Sequence, residues 1–179
     1  MCRPPMLGSP RGPLMEFYVI LRGPLGVGKT TFALRVAKEV GAEYLSIDRI
    51  LDDHHLWNEG RRSEFLRANT FAVELATASL ARGAPVVLDG NFYWKSVIDD
   101  LIRRLPYRHY VFTLDAPLAV CIERDRRRER PHGSDATRAV YAKSTAFHYG
   151  IKVDASGSIG SVLRDLRTRL PTRENRVHR

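Results

Sequence analysis

The chain has 179 residues, a formal net charge of +9 and 44% hydrophobic residues, which favours a single globular domain. No apolar run reaches the roughly 18 residues that a membrane span requires. The start of the chain lacks the apolar segment of a secretory signal, and two cysteines give neither a disulfide framework nor a zinc spacing. We therefore expect a cytoplasmic protein without a membrane partner, whose basic surface favours nucleotides or nucleic acids.

The sequence divides into three segments. Residues 1–14 contain four Pro and two Gly without any hydrophobic period, and we predict a disordered N-terminal extension. Residues 15–170 alternate between apolar runs of strand type and amphipathic stretches. Residues 171–179 form a basic C-terminal tail. One folded domain between two tails is the expected organisation.

Strands and helices alternate along the central segment. The predicted strands, in chain order, are 16–22, 43–48, 84–90, 108–116 and 149–156. The predicted helices are 29–40, 61–82, 94–104, 117–130, 135–147 and 158–170. Gly41 and Gly83 end the first two helices, and Pro106 follows the third. Strands separated by helices predict an α/β fold with a parallel sheet.

A glycine-rich loop lies between the first strand and the first helix. It fits the pattern GxxxxGK[ST] in full, and the context of a buried strand before it and a helix after it is right. Its N–H groups and the helix N-terminus bind phosphate, Lys29 reaches the β- and γ-phosphates, and the Thr30 hydroxyl faces Mg²⁺. The residues predicted to bind ATP here are Gly23, Pro24, Leu25, Gly26, Val27, Gly28, Lys29, Thr30 and Thr31.

Two carboxylates follow neighbouring predicted strands. Residues beyond the carboxyl ends of strands line the ligand crevice of an open α/β sheet. Asp48 is predicted to accept the proton of an acceptor hydroxyl, although an aspartate there could equally cap a helix. Asp89 is predicted to hold Mg²⁺ together with Thr30, and Asn91 to orient the acceptor or a water.

Three aromatic residues and one acidic run lie close to these carboxylates in the sequence. Phe92, Tyr93 and Trp94 could stack on a planar acceptor, or pack against the helix 61–82. The run DDHH at 52–55 resembles a metal site in composition, but adjacent residues do not converge on one ion, so we interpret it as a solvated or acceptor-side segment.

An arginine-rich segment, ERDRRRER at 123–130, is the candidate lid. Arg124 and Arg128 are one helical turn apart, and lid arginines stabilise the charge of a transferring phosphoryl group. The alternative is a solvated charged helix. The segment VDASG at 153–157 follows the last strand and could line the adenine.

Taken together, these motifs resemble small P-loop kinases of the nucleoside-monophosphate-kinase-like group. The similarity covers 16–170 and is greatest to the branch of polynucleotide kinases, chloramphenicol phosphotransferases and zeta toxins. It implies a three-layer P-loop fold with strand order 2-3-1-4-5 and a helical lid, and phosphoryl transfer from ATP with Mg²⁺ to a hydroxyl. It also implies Asp48 as the general base, Lys29 and Thr30 at the phosphates, and Arg124 and Arg128 as lid arginines.

One position departs from the polynucleotide kinases, which carry an Asp-x-x-Arg motif. The corresponding residues here are Asp48 and Leu51, so an arginine for the acceptor phosphate is missing unless Arg61, Arg62 or Arg67 supplies it. A kinase that acts on a hydroxyl of a small molecule or nucleotide-like acceptor is therefore the leading hypothesis. A polynucleotide 5′-hydroxyl kinase and an ATP-binding switch without an acceptor are the alternatives.

Overall fold

A central sheet of five parallel strands organises the molecule. The computed structural model describes residues 16–171, so the predicted extension 1–14 and the tail beyond 171 lie outside the described residues. The strands are β1 (Phe17–Arg22), β2 (Glu43–Ser46), β3 (Val86–Asp89), β4 (Arg108–Asp115) and β5 (Ile151–Asp154). Their order is β2-β3-β1-β4-β5 and every pair is parallel, which confirms the predicted topology.

Seven helices connect the strands. They are α1 (Lys29–Val40), α2 (Ile47–Asp53), α3 (Arg62–Ala81), α4 (Lys95–Arg104), α5 (Leu118–Arg126), α6 (Ser134–Thr145) and α7 (Ile159–Thr168). Six of them match the predicted helices, with α5 ending earlier than expected. Helix α2 was not predicted, and β2 ends at Ser46 and not at residue 48 as expected. The N-cap of α2 is Ser46, because the Ser46 hydroxyl accepts a hydrogen bond from the backbone N–H of Arg49 at 3.3 Å.

Both faces of the sheet are covered by helices. All six residues of β1 are buried, and their side chains alternate between two apolar clusters. Phe17, Val19 and Leu21 pack in the cluster that includes α1 and α7, whereas Tyr18 and Ile20 pack in the cluster that includes α2, α3 and α4. The fold is therefore the expected three-layer P-loop sandwich.

The strand register brings the ends of three strands to one level. Leu21 of β1 pairs with Asp89 of β3, and Asp89 also pairs with Ser46 of β2. The glycine-rich loop starts two residues after Leu21, and α2 starts directly after Ser46. The described helices include none with the length and apolarity of a membrane-spanning segment. The carboxyl edge of the sheet is thus where the predicted site residues converge.

Candidate functional site

The glycine-rich loop connects β1 to α1 in the geometry that its sequence requires. Gly26 and Gly28 adopt φ of 80° and 102°, values that favour glycine. A Cβ on Gly26 would lie 2.1 Å from the carbonyl oxygen of Cys121, so the loop is in close contact with the backbone of α5. Gly26 thus combines a left-handed conformation with a space that only glycine fits.

Lys29, the first residue of α1, folds over the loop. The residue is 8% exposed, and its ammonium group donates to the carbonyl oxygens of Gly23 and Pro24 at 3.0 and 3.1 Å. Burial lowers the pKa of Lys29, while the charges of Asp48 and Asp89 act in the opposite direction. The cation therefore lies in the field of both carboxylates, at the boundary between the loop and the sheet edge.

Thr30 and Asp89 form the pair predicted for a metal. The Thr30 hydroxyl donates to Asp89 Oδ2 at 2.9 Å, and the Tyr44 hydroxyl donates to Asp89 Oδ1 at 2.9 Å. A hydroxyl and a carboxylate are ligands that suit Mg²⁺, which takes the rest of its shell from water and phosphate. In the part of the chain that the structure describes, no three His, Cys, Asp or Glu side chains form a cage for a metal. The residues fit a magnesium ion that is shared with a bound nucleotide.

Asp48 lies in the first turn of α2, where Asn91 holds its carboxylate. The Asn91 side-chain amide donates to Oδ2 at 2.9 Å and the Asn91 backbone N–H donates to Oδ1 at 3.2 Å. Burial raises the pKa of Asp48, against the opposing charge of Lys29 and the hydrogen bond from Asn91. Because Ser46 is the N-cap, capping does not explain this aspartate. Its environment is that of a carboxylate suited to accept a proton.

A cavity of about 320 Å³ adjoins Asp48. Its lining combines the glycine-rich loop, α2 and the residues after it, the segment after β3, and α6 with its preceding turn. The lining residues are Leu25, Asp48, Asp52, Trp57, Asn91, Tyr93, His132, Ala136 and Val140. Of the predicted acceptor residues, Asp48, Asn91 and Tyr93 are brought together here.

Phe92 and Trp94 do not line this cavity, which corrects the expectation for two of the three aromatics. Phe92 is 1% exposed and belongs to the core. Trp94 packs edge-on against Phe65 of α3, with ring centroids 5.4 Å apart, and against Tyr93 at 5.8 Å. Packing against α3 was the alternative interpretation, and it describes Trp94.

The two predicted lid arginines occupy different environments. Arg124 donates to the carbonyl oxygens of Val27 at 3.2 Å and Ala155 at 2.7 Å, and also to Ser156 and Gly157. It therefore joins the glycine-rich loop to the segment after β5. Arg128 lies beyond the end of α5, and its charge contributes to the lowered pKa of Lys29.

A buried aspartate organises the turn before α6. Asp125 is 1% exposed and accepts from the backbone N–H groups of His132 and Gly133, each at 3.0 Å. The His132 ring also contacts Asp125, with Nδ1 3.3 Å from Oδ1. These contacts fix the turn that carries His132 to the cavity wall.

The family model described as an AAA domain matches residues 19–150, which is more than half of the chain. The chain belongs to this family. It is a family of P-loop kinases, and the chain shares the nucleoside-monophosphate-kinase-like fold. No curated protein matches the chain.

Solved structures with this fold are similar to the chain at low sequence identity. A gluconokinase from Sinorhizobium meliloti 1021 is 18% identical, with a TM-score of 0.68, covering 84% of this chain and 89% of its own. A sugar kinase from Janibacter sp. HTCC2649 is 20% identical, with a TM-score of 0.72 and coverage of 84% and 92%. A Deinococcus radiodurans tunicamycin resistance protein is 16% identical, with a TM-score of 0.65 and coverage of 87% and 95%. These similarities show the P-loop kinase fold.

Four residues of this site were not predicted from the sequence. Tyr44 contacts Asp89, and Trp57, Asp52 and His132 line the cavity. Asp52 had been included only in an acidic run interpreted as solvated or acceptor-side. No short motif marks these positions, because α2, the α2–α3 connection and the α6 turn converge only through the fold. An isolated Trp57 among polar residues was the one available signal.

Proposed function

We propose that this protein is a kinase that transfers the γ-phosphoryl group of ATP, with Mg²⁺, to a hydroxyl group of a small molecule in the cytoplasm. The observation that carries this proposal is the Asp48 carboxylate, held by Asn91 between the glycine-rich loop and the cavity. Membership of a P-loop kinase family supports it. So do the names of two similar solved structures, a gluconokinase and a sugar kinase.

The proposed reaction uses the two sides of the site. The loop N–H groups and Lys29 hold the phosphates of ATP. The acceptor hydroxyl lies in the cavity beside Asp48. Its oxygen forms a bond to the γ-phosphorus as the bond from that phosphorus to the β–γ bridging oxygen breaks, and its proton passes to Asp48. The products are ADP and a phosphate ester.

Magnesium and the arginines would stabilise the charge of this reaction. Thr30 and Asp89 would hold Mg²⁺, which neutralises phosphate charge when bound. Arg128, on the turn beyond α5, lies with its Nε 3.5 Å from Asp125 Oδ1 and would stabilise the charge of the transferring group. Arg124 would contact the nucleotide from its position between Val27 and Ala155.

A polynucleotide acceptor has less support. Leu51, which stands where polynucleotide kinases carry an arginine, is fully buried in the core. Arg61 pairs with Glu59, and neither Arg62 nor Arg67 lines the cavity. A switch that has no phosphoryl acceptor does not account for the cavity or for the Asp48 carboxylate that Asn91 holds beside it. The small-molecule kinase therefore stands as the leading proposal.

The test is transfer of label from γ-labelled ATP with Mg²⁺ to a deproteinised metabolite extract, 5′-hydroxyl RNA or 5′-hydroxyl DNA. We expect labelled product with the wild-type protein and a loss of at least about 100-fold with Asp48→Asn. Asp53→Asn is the matched control, because Asp53 is on the same helix, is exposed and pairs with Arg49. Release of free phosphate alone, at equal rates in wild type and Asp48→Asn, would identify a switch and overturn the proposal.

A further inference from the structure

The polar atoms that line the cavity are mainly hydrogen-bond acceptors. Asp48 and Asp52 contribute carboxylates, and the charge of Asp52 acts on Asp48, so the two are close. The Asn91 amide group donates to Asp48, and the Asn91 Oδ1 is itself buried, so the two carboxylates are the acceptors that a ligand meets. Their oxygens can accept hydrogen bonds from donors on the ligand. The cavity therefore matches a compound that is rich in O–H and N–H groups.

Compensating cations do not line this cavity. Within the described residues, its lining contains neither Lys nor Arg. Arg49, on the same helix as Asp52, pairs with Asp53. His132 lies against the buried carboxylate of Asp125, and Lys143 lies over the Tyr93 ring, 5.4 Å from its centroid. Lys29, whose charge acts on Asp48, donates to the carbonyl oxygens of Gly23 and Pro24 and is not part of the cavity lining. A carboxylate or phosphate on the acceptor would thus meet two aspartates in a lining without Lys or Arg.

Aromatic surface completes the lining. Trp57 is 46% exposed, and its ring packs edge-on against Phe65 at 5.6 Å, which fixes its position at the cavity. Tyr93 also contacts Phe65, at 5.5 Å. Trp and Tyr rings attract cations through their faces, and Asp52 offers an opposite charge in the same cavity. Because Lys143 already lies over the Tyr93 ring, an ammonium group on the ligand gains from Asp52 and Trp57, and an uncharged group gains less from both.

We infer that the acceptor is an amino alcohol or amino sugar, a compound with a protonated amine beside its hydroxyl groups and with neither phosphate nor carboxylate. The amine binds at Asp52 and Trp57, and the reacting hydroxyl lies at Asp48. A volume of about 320 Å³ corresponds to a ligand of monosaccharide size, near the lower end of the range of about 300–1,000 Å³ for ligand pockets. This inference rests on the proposed kinase function.

The first experiment separates acceptors by charge. A deproteinised, nucleotide-free metabolite extract is divided by ion exchange at pH 7 into cationic, neutral and anionic pools, and each pool is offered with γ-labelled ATP and Mg²⁺. We expect labelled product from the cationic pool. Label that arises only from the neutral or the anionic pool overturns the inference and leaves the kinase function intact. Label from no pool, with ATP only hydrolysed, contradicts the kinase function itself.

The second experiment tests Asp52 with a matched pair of ligands. The phosphorylated amine is purified from the cationic pool, dephosphorylated and compared with its N-acetylated derivative, which lacks the positive charge. In the wild-type protein we expect KM to be about tenfold or more lower for the amine. In Asp52→Asn this difference should fall below about threefold, while Asp53→Asn should keep it. An unchanged difference in Asp52→Asn would remove Asp52 from amine recognition and overturn the assignment.

Discussion

Asn91 binds both carboxylate oxygens of Asp48, one through its side-chain amide at 2.9 Å and the other through its backbone N–H at 3.2 Å. This arrangement fixes the carboxylate plane relative to the cavity. Each oxygen keeps a further lone pair for a proton. Asn91 thus acts as a positioning residue for the proposed base, a role more specific than the contact with acceptor or water that its sequence position suggested.

Replacement of Asn91 by Ala should slow phosphoryl transfer through Asp48. We expect kcat to fall about ten- to a hundredfold with little change in KM for ATP, because a mispositioned base costs transition-state stabilisation. The Asn91 backbone N–H, whose hydrogen bond lowers the pKa of Asp48, is kept in this variant. Loss of the side-chain amide that donates to the carboxylate should still raise the pKa of Asp48, so the acid limb of the kcat/KM profile should move to higher pH.

The matched control is Asn58→Ala, on the exposed connection between α2 and α3. It should reproduce the wild-type profile. An Asn91→Ala protein with a lower kcat but an unshifted acid limb would mean that Asn91 acts on the substrate and not through Asp48.

Asp48 should also impose a cost on folding that depends on pH. Because burial raises its pKa in the folded protein, the native state binds more protons than the unfolded chain between the ordinary and the raised pKa. Its effect on stability is therefore most favourable at acidic pH and is lost as the pH rises through the raised pKa. We expect the free energy of unfolding of Asp48→Asn, relative to wild type, to increase from pH 4 to pH 7. Denaturant titrations of both proteins at both pH values measure this difference in unfolding free energy. A difference that stays constant with pH would contradict a raised pKa for Asp48.

Two glycines with positive φ, Gly26 in the glycine-rich loop and Gly41 at the end of α1, allow a matched comparison. Gly26→Ala should abolish ATP binding, because its Cβ would collide with the Cys121 carbonyl at a φ of 80°. Gly41 has a similar φ of 67° at the end of α1, but nothing lies within 4 Å of a Cβ there. Gly41→Ala should therefore cost only the left-handed backbone penalty of about 1–2 kcal/mol in stability and keep ATP binding. Calorimetric titration with ATP separates the two, and equal loss of binding in both would show that backbone strain alone is responsible.

Arg22 is an unexpected buried charge at the end of β1. It is fully buried, and its guanidinium donates to the Thr113 hydroxyl at 3.1 Å and to the carbonyl oxygens of Ser144 and Phe147 at 2.6 and 3.3 Å. It also lies 4.1 Å from the Phe147 ring centroid. Burial lowers its pKa to about 10. Arg22 therefore connects the sheet to the C-terminal end of α6 and to the segment that follows it.

Arg22→Met should leave these buried carbonyl groups without donors, which costs about 1–3 kcal/mol for each unsatisfied group. We expect a decrease in the unfolding free energy of several kcal/mol, measured by urea denaturation. Arg35→Met, at an exposed position of α1, is the control and should change stability by less than about 0.5 kcal/mol. If both variants were equally stable, the contacts of Arg22 would carry no net stabilisation.

The local patterns predicted most of the fold, because apolar runs and glycine stops mark strands and helices directly. They failed at α2, where the chain passes from β2 into a seven-residue helix without an intervening turn. The glycine-rich loop could be predicted because its phosphate-binding residues are consecutive in the sequence. Asp52, Trp57 and His132 were not assigned to the cavity, since residues brought together from three separate elements leave no local pattern. Arg22, in an otherwise apolar strand, gave no indication of its partners.

The contact between Gly26 and Cys121 makes a thiol the natural reporter of loop motion. Cys121 is fully buried in an apolar cluster, and burial raises its pKa, so the thiol reacts only when the packing around α5 opens. Because the Cys121 backbone carbonyl lies against Gly26, such an opening also disturbs the contact between α5 and the loop. A Cys2→Ser protein would contain this single thiol. The rate at which an alkylating reagent consumes it then measures how often the packing between α5 and its neighbours opens, and a nucleotide bound at the loop should lower that rate.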